Sequence, residues 1–431
     1  METGPNTTTK ALCSYEAAEL MRNEACSGGS RESSKVNLIC ASRNRFPCGQ
    51  RLRALLALLA LLVCTCLGFS VSTQLLRSQT LRSRRPADAR NGERIYKAGC
   101  IACHGELGKG AAQSSTEFTR PSTFPDFTQC SQTTAEANAA WKAVIVHGGP
   151  SRGFSTIMPA FGELLSSPDI DDVIAYLRGF CTNPHWPRGE LNLPRALVTE
   201  KAYPEDEFVV STAANVSGAP GFVTDYIHEQ RFGVKNQIEV DLPLHNADQN
   251  HQWESGIGDM TFGVKRVMYS NLHTGSILSL QGGILPPTGD SKRGFGSGTT
   301  TFEPFAAFDQ LFPTNTFVQF QMGADLPRHP DISPQSIFYR TAIGQTIAPD
   351  HMLGRMWSPM VEFLATRNLM DGAKTDWDVL PEMQVTISRR QHVRAAVGVR
   401  TPFTDTRGRT PQLNVYVLWD WADGKLWGGW K

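Results

Sequence analysis

The stretch Cys100-Ile101-Ala102-Cys103-His104 decides how the first folded part of this 431-residue chain is built. It brings two thiols and an imidazole within one helical turn, and a short helical pattern over residues 89–99 leads into it. A CxxC pair by itself also occurs in redox-active and zinc-binding proteins. The rest of the sequence is therefore needed to decide which kind of site this motif forms.

An export signal precedes this motif. Arg51 and Arg53 are followed by the apolar run 54–69 and then by small residues, which are the three parts of a secretory signal. The run is shorter than the roughly twenty residues that a membrane helix needs, and an uncleaved N-terminal anchor is the alternative. We predict an N-terminal extension with signal peptide over 1–72 and a linker over 73–88.

Composition excludes some classes of protein. With 40% hydrophobic and 19% charged residues, the chain does not resemble a polytopic helical membrane protein. A net charge of +1 gives no electrostatic case for nucleic-acid binding, and we predict none. Serine-nucleophile patterns, phosphate loops and dinucleotide fingerprints are absent from the sequence. The sequence therefore gives no support for a catalyst with a substrate of its own.

Cysteine usage is uneven along the chain. Six cysteines lie within the first seventy residues, four lie between 100 and 181, and residues 182–431 contain none. Outside the CxxCH motif, only Cys130 and Cys181 remain after the signal. Two leftover cysteines of an exported protein often pair, so a disulfide is expected, with two buried free thiols as the alternative.

In an exported chain, CxxCH is the attachment sequence of haem c. Cys100 and Cys103 would add to the two vinyl groups, and His104 would coordinate iron. Met158, in a Met-Pro loop, follows His104 by 54 residues and precedes an amphipathic helical pattern over 170–180. Met158 is the predicted sixth ligand, while His147, His185 and an open five-coordinate site remain alternatives.

The stretch 89–183 resembles a class I c-type cytochrome domain, on its CxxCH motif, its Met-Pro loop and its C-terminal helix. This resemblance implies an all-α domain with one covalently bound haem c and His104 and Met158 as axial ligands. It also implies that a carbonyl of Pro121 or Pro125 orients His104, with the choice open.

Residues 207–431 alternate with period two. Over 316–324, for example, Val318, Phe320 and Met322 oppose Gln319 and Gln321. About twelve strands are predicted, starting near residues 207, 222, 236, 259, 275, 299, 315, 336, 356, 377, 392 and 411. The polar opposite faces, aromatic residues near strand ends and absence of cysteine favour an outer-membrane barrel over a soluble β-sandwich or barrel.

Two segments resemble a porin-like transporter family of Gram-negative outer membranes: 256–265 (GIGDMTFGVK) and 401–408 (TPFTDTRG). Such barrels commonly finish on an aromatic residue, and either Trp421 or Trp430 is expected to play that part. Glu239, Asp241 and Glu382 are expected on the inner faces of strands, where they would set the charge of the lumen.

Together these patterns predict a cytochrome c domain over 89–183, a Pro-rich linker over 184–206 and an antiparallel outer-membrane barrel over 207–431. The expected function is one-electron transfer at the periplasmic face, with an unidentified redox protein as donor or acceptor. Outer-membrane lipid and other copies of the barrel are further expected partners. The alternatives are an outer-membrane transporter whose haem domain senses or gates, and a soluble cytochrome fused to a β-sandwich.

Overall fold

The computed structural model describes residues 86–183, 185–249, 251–347, 356–406 and 408–430. The predicted extension and signal peptide, and most of the first linker, lie outside these residues. Among the described residues, no helix combines the length and apolarity that crossing a bilayer requires.

Helices make up the regular structure of the first domain. They are α1 (Ala89–Gly99), α2 (Ile101–His104), α3 (Cys130–Thr133), α4 (Asn138–His147) and α5 (Ser167–Arg178), with 3-10 turns at Gln113–Ser115 and Gly149–Arg152. Helix α5 begins earlier than the apolar pattern suggests, because Ser166 and Asp169 form a capping box.

Helices α1 and α5 cross at very close range. Tyr96 of α1 is buried with Ile170, Val173 and Ile174 of α5 in one hydrophobic cluster. A Cβ on Gly92 would lie 2.0 Å from the carbonyl oxygen of Asp172, so only glycine allows this approach. The two terminal parts of the domain are thereby packed together.

A disulfide joins Cys130 of α3 to Cys181, which follows α5. The pairing expected from cysteine usage is therefore present. A cross-link closing a loop of this length, with a sequence separation of 51, stabilises a domain by about 4 kcal/mol in the chain-entropy account.

The second domain is a closed antiparallel barrel. Its strands are β1 (Glu207–Asn215), β2 (Gly221–Phe232), β3 (Asn236–Gln249), β4 (Gln252–Ile257), β5 (Thr261–Asn271), β6 (Ser276–Leu285), β7 (Thr301–Leu311), β8 (Thr316–Pro327), β9 (Ser336–Gln345), β10 (Trp357–Asn368), β11 (Asp376–Thr386), β12 (Val393–Pro402) and β13 (Gln412–Asp420). β13 pairs with β1 and closes the sheet.

Because β4 and β5 pair with successive parts of β3, the thirteen strands occupy twelve positions around the barrel. The twelve-stranded prediction is confirmed, and each predicted start lies within two residues of an observed one. The short strand β4 was not predicted. The soluble β-sandwich alternative is wrong, since one sheet closes on itself.

Large apolar side chains face outward, whereas the inward side chains are polar or belong to buried apolar clusters. On β8, Gln319 and Gln321 are fully buried, whereas Phe320 and Met322 are 37% and 46% exposed. The same exposure of large apolar side chains recurs on strands all round the barrel, including Phe262, Leu280, Phe308, Ile343, Phe363, Val397 and Val417. An apolar outer belt around a polar interior is typical of outer-membrane barrels.

The two ends of the barrel differ. At the end where β1 begins and β13 finishes, here called the proximal end, the turns 233–235, 272–275 and 312–315 are short, and the β9–β10 connection spans 346–356. At the opposite, distal end, the β6–β7 connection spans 286–300. The helical domain contacts the proximal end, where Arg390 of the β11–β12 turn bonds to Gly153.

The segment predicted as a linker lies inside the barrel. Residues 189–206, here called the luminal strap, donate backbone N–H groups to inward side chains of five strands: Glu382 of β11, Glu362 of β10, Gln321 of β8, Asp309 of β7 and Gln237 of β3. Strands so far apart around the barrel can meet one segment only across the lumen. The inward polar side chains thus accept the hydrogen bonds that the backbone N–H groups of this segment would otherwise donate to water.

Ion pairs and apolar contacts also hold the strap. Arg195 lies 2.9 Å from Glu207 and 2.8 Å from Glu229, both buried. Leu191 packs in a buried cluster with side chains of β5, β6, β7 and β9, and Leu193 packs against Phe317 and Met360. The strap is an ordered part of the barrel interior.

Candidate functional site

The CxxCH motif lies on the turn where α1 passes into α2. The backbone N–H groups of Cys103 and His104 both donate to the carbonyl of Cys100, at 3.2 and 2.9 Å. Both thiols are free and partly buried. Burial, with a smaller contribution from Cys103, raises the pKa of the Cys100 thiol to about 11.

The His104 imidazole lies between two aromatic rings. Its centroid is 5.1 Å from that of Phe124, in stacked geometry, and 5.2 Å from that of Phe127. Burial lowers the pKa of His104 to about 4, so the ring is neutral at physiological pH. Neutral imidazole is the form that coordinates iron.

One ring nitrogen of His104 has no partner among the described residues. Nδ1 is buried and makes no hydrogen bond. The carbonyl of Pro121 accepts from the Phe124 N–H instead, so the structure does not select between Pro121 and Pro125 as the group that orients the histidine.

Met158 lies on the loop between the 3-10 turn at 149–152 and α5. Its carbonyl accepts from the Gly149 N–H at 3.0 Å. Its side chain packs against the hydrophobic cluster that Cys100 and Ile101 also contact. Of the two alternative ligands, His185 is exposed, and His147 is exposed and lines a cavity of about 540 Å³ between the helical domain and the barrel.

These groups fit a haem c. Two free thiols stand on one helical turn, a neutral imidazole follows them with an unpartnered nitrogen, and a thioether packs on the same cluster. Phe124 and Phe127, which flank the imidazole, were not singled out from the sequence. Trp141 packs against Phe127 at 5.5 Å beneath the guanidinium of Arg178.

The sequence of the helical domain also matches a known protein family. Residues 87–177 match the family model described as cytochrome C oxidase, cbb3-type, subunit III. The chain joins a c-type cytochrome domain to an outer-membrane-type barrel. The family model covers the cytochrome domain alone, and the barrel lies outside it. No curated protein sequence matches the chain.

Solved structures of outer-membrane barrels are similar to the second domain. An outer membrane channel from Pseudomonas putida F1 matches with 15% identity and a TM-score of 0.35, covering 51% of this chain and 97% of the channel. The KdgM porin matches with 10% identity and a TM-score of 0.33, covering 49% of this chain and 98% of the porin. The β domain of the Bordetella autotransporter BrkA matches with 8% identity and a TM-score of 0.32, covering 50% and 98%.

A group of carboxylates inside the barrel has the spacing of a metal site. Donor oxygens of Glu200, Glu229 and Glu239 lie within 4.8 Å of one another. Arg195 pairs with Glu200 and Glu229, and Lys265 lies 3.6 Å from Glu200. These two cations offset part of the negative charge of the group, and the ion pairs of Arg195 help to hold the strap in the barrel.

Proposed function

We propose that this protein transfers single electrons through one haem c in its cytochrome domain, and that the barrel anchors this domain to the outer membrane. The observation that carries the proposal is the neutral His104 imidazole, packed between Phe124 and Phe127 and directly following two free thiols on one helical turn.

When bound, a haem c supplies a reversible one-electron iron couple. Cys100 and Cys103 would hold it covalently, and His104 and Met158 would ligate its iron. The residues of the chain keep this arrangement rigid, because Phe124 and Phe127 fix the imidazole and the α1–α5 cluster fixes the methionine loop. Fixed ligands keep the reorganisation that accompanies electron exchange small.

The proposed location of the cytochrome domain is the periplasmic face. Outer-membrane barrels carry short turns on the periplasmic side and longer loops outside. The cytochrome domain contacts the proximal end, where three of the connections are the short turns 233–235, 272–275 and 312–315, whereas the longest connection, 286–300, lies at the distal end. A periplasmic redox protein would then be the donor or acceptor.

The second candidate function is solute transport with the haem domain as a sensor or gate. The strap lies across the lumen and is held by inward side chains of five strands, which favours a closed barrel that anchors the domain. In a liposome-swelling assay we therefore expect negligible sugar uptake, and rapid uptake would favour transport.

Membrane fractionation combined with haem staining tests the main proposal. We expect the chain in the outer-membrane fraction, with heat-modifiable mobility and a haem stain that survives denaturation. The paired change Cys100→Ser and Cys103→Ser should abolish the stain, whereas Cys130→Ser and Cys181→Ser should retain it. Potentiometric titration should give a one-electron slope. A soluble product, or a chain without covalent haem, would contradict the proposal.

A further inference from the structure

An arginine of the barrel reaches the loop that carries Met158. Arg390 lies in the β11–β12 turn at the proximal end, and its Nη2 donates to the carbonyl of Gly153 at 2.6 Å. Its guanidinium carbon also lies 4.9 Å from the centroid of the Phe154 ring. The Arg390 side chain thus contacts two consecutive residues of the cytochrome domain, one through a charge-assisted hydrogen bond and the next through a cation–π contact.

Gly153 and Phe154 belong to a loop that is closed by backbone hydrogen bonds between its own residues. Phe154 donates to the carbonyl of Gly149, and Gly149 donates to the carbonyl of Met158. Met158 in turn donates to the carbonyl of Ser155. Displacement of Gly153 and Phe154 would therefore be transmitted to Met158 over a few covalent and hydrogen bonds.

The C-terminal tail holds Arg390 in place. The Arg390 N–H donates to the carbonyl of Gly429 at 3.1 Å. A Cβ on Gly429 would lie 2.6 Å from the Arg390 Cβ, and a Cβ on Gly424 would lie 2.5 Å from its Nη1. Both glycines have positive φ, and the tail backbone approaches the arginine more closely than residues with a Cβ would allow.

We propose that Arg390 is a positioning residue for Met158, so that the barrel stabilises the bond between this thioether and the haem iron. The inference rests on the proposed function, because it takes Met158 as the sixth ligand. Loss of the arginine would free the loop, and Met158 would leave the iron more readily.

Competition by imidazole measures how readily Met158 leaves. Imidazole binds ferric haem only after the methionine dissociates, and the Met–iron charge-transfer band reports the bond directly. In the full-length holoprotein, Arg390→Ala should raise the apparent affinity for imidazole roughly tenfold, as expected for the loss of one hydrogen bond from a charged donor. Amide exchange over 149–158 should also become faster.

Two further variants make the test specific. Arg389→Ala is the matched control, because this neighbouring arginine makes no described contact with Gly153 or Phe154, and it should leave imidazole affinity unchanged. Gly429→Ala displaces the arginine from the tail side and leaves the methionine loop itself unchanged, since its Cβ would lie 2.6 Å from the Arg390 Cβ, and it should act like Arg390→Ala. Gly429→Ala also decides the test if Arg390→Ala does not assemble.

The outcomes separate this inference from the proposed function. If the parent chain lacks covalent haem or the charge-transfer band, the haem or ligand assignment itself fails. If the parent has both, and Arg390→Ala and Gly429→Ala bind imidazole like the parent, the positioning role is wrong while the proposed function stands. An equal effect of Arg389→Ala would also overturn the positioning role.

Discussion

The carboxylate of Glu362, on the inner face of β10, accepts a 2.6 Å hydrogen bond from the backbone N–H of Thr199 in the luminal strap. It also accepts a 3.0 Å bond from the N–H of Val198. One buried carboxylate thus satisfies two consecutive amides of a segment that crosses the lumen. This relationship holds the strap in an ordered position across the lumen.

Removal of that carboxylate should loosen the strap. Glu362→Ala leaves two buried amides unpaired, which costs about 3 kcal/mol and would raise the population of a displaced strap roughly 100-fold. Single-channel recording in planar bilayers should then show openings that the parent rarely shows. Glu303→Ala is the control, because Glu303 faces the lumen without a described hydrogen bond to the strap. A parent barrel that conducts steadily would show that the strap does not block it.

The sixth-ligand assignment gives a spectroscopic prediction. Met158→Ala should abolish the Met–iron charge-transfer band and lower the reduction potential, because the thioether ligand raises the potential of haem. Covalent haem should remain, since Cys100 and Cys103 are unchanged. His147→Ala should keep the band, because this exposed histidine lies on the side of the junction cavity. Persistence of the band in Met158→Ala would disprove the assignment.

The junction between the domains should respond to pH. Burial raises the pKa of Glu136, and burial followed by repulsion from Glu136 raises the pKa of Asp423, with which it shares a hydrogen bond. Asp420 adds negative charge, while Arg178, Arg231 and Arg394 offset it. Carboxyl groups with raised pKa values stabilise the folded state below their ordinary pKa, and this stability is lost as the pH rises.

Thermal unfolding of the cytochrome domain should therefore begin at a lower temperature at pH 8 than at pH 5. Glu136→Gln should weaken this dependence of the unfolding temperature on pH. Each titrating proton that is lost removes up to about 1.4 kcal/mol per pH unit from the change in the free energy of unfolding. Glu163→Gln changes an exposed carboxylate of the same domain and should leave the slope as it is. An unchanged slope in Glu136→Gln would show that the pair does not control the junction.

The α1–α5 crossing gives a stability prediction. Gly92→Ala places a methyl group 2.0 Å from the Asp172 carbonyl oxygen, so the helices must separate, at a cost of about 1–3 kcal/mol. The midpoint of denaturant unfolding, followed by near-UV circular dichroism, should fall accordingly. Gly99→Ala in the same helix meets its nearest neighbour, the Phe161 ring, at an ordinary 3.9 Å and should have little effect. Equal midpoints in the two variants would contradict the close crossing.

Strand positions could be predicted because alternation follows from the pleat itself. A strand with one face in lipid and one in a polar interior has to alternate residue by residue, and this pattern survives without knowledge of its neighbours. The prediction missed β4, since Gly256 interrupts the pattern there and only pairing with β3 makes the segment a strand. Closure of the sheet required the pairing of β1 with β13.

By itself, the sequence determined the local chemistry: the CxxCH turn, the methionine loop and the strand periods all depend on residues close together in the chain. Only the tertiary structure decided where 189–206 lies and that Arg390 reaches Gly153, which is 237 positions away. A Pro-containing polar segment looks like a linker because its backbone amides have no partners within the segment. Inward side chains of five strands supply those partners, and they come together only when the barrel closes.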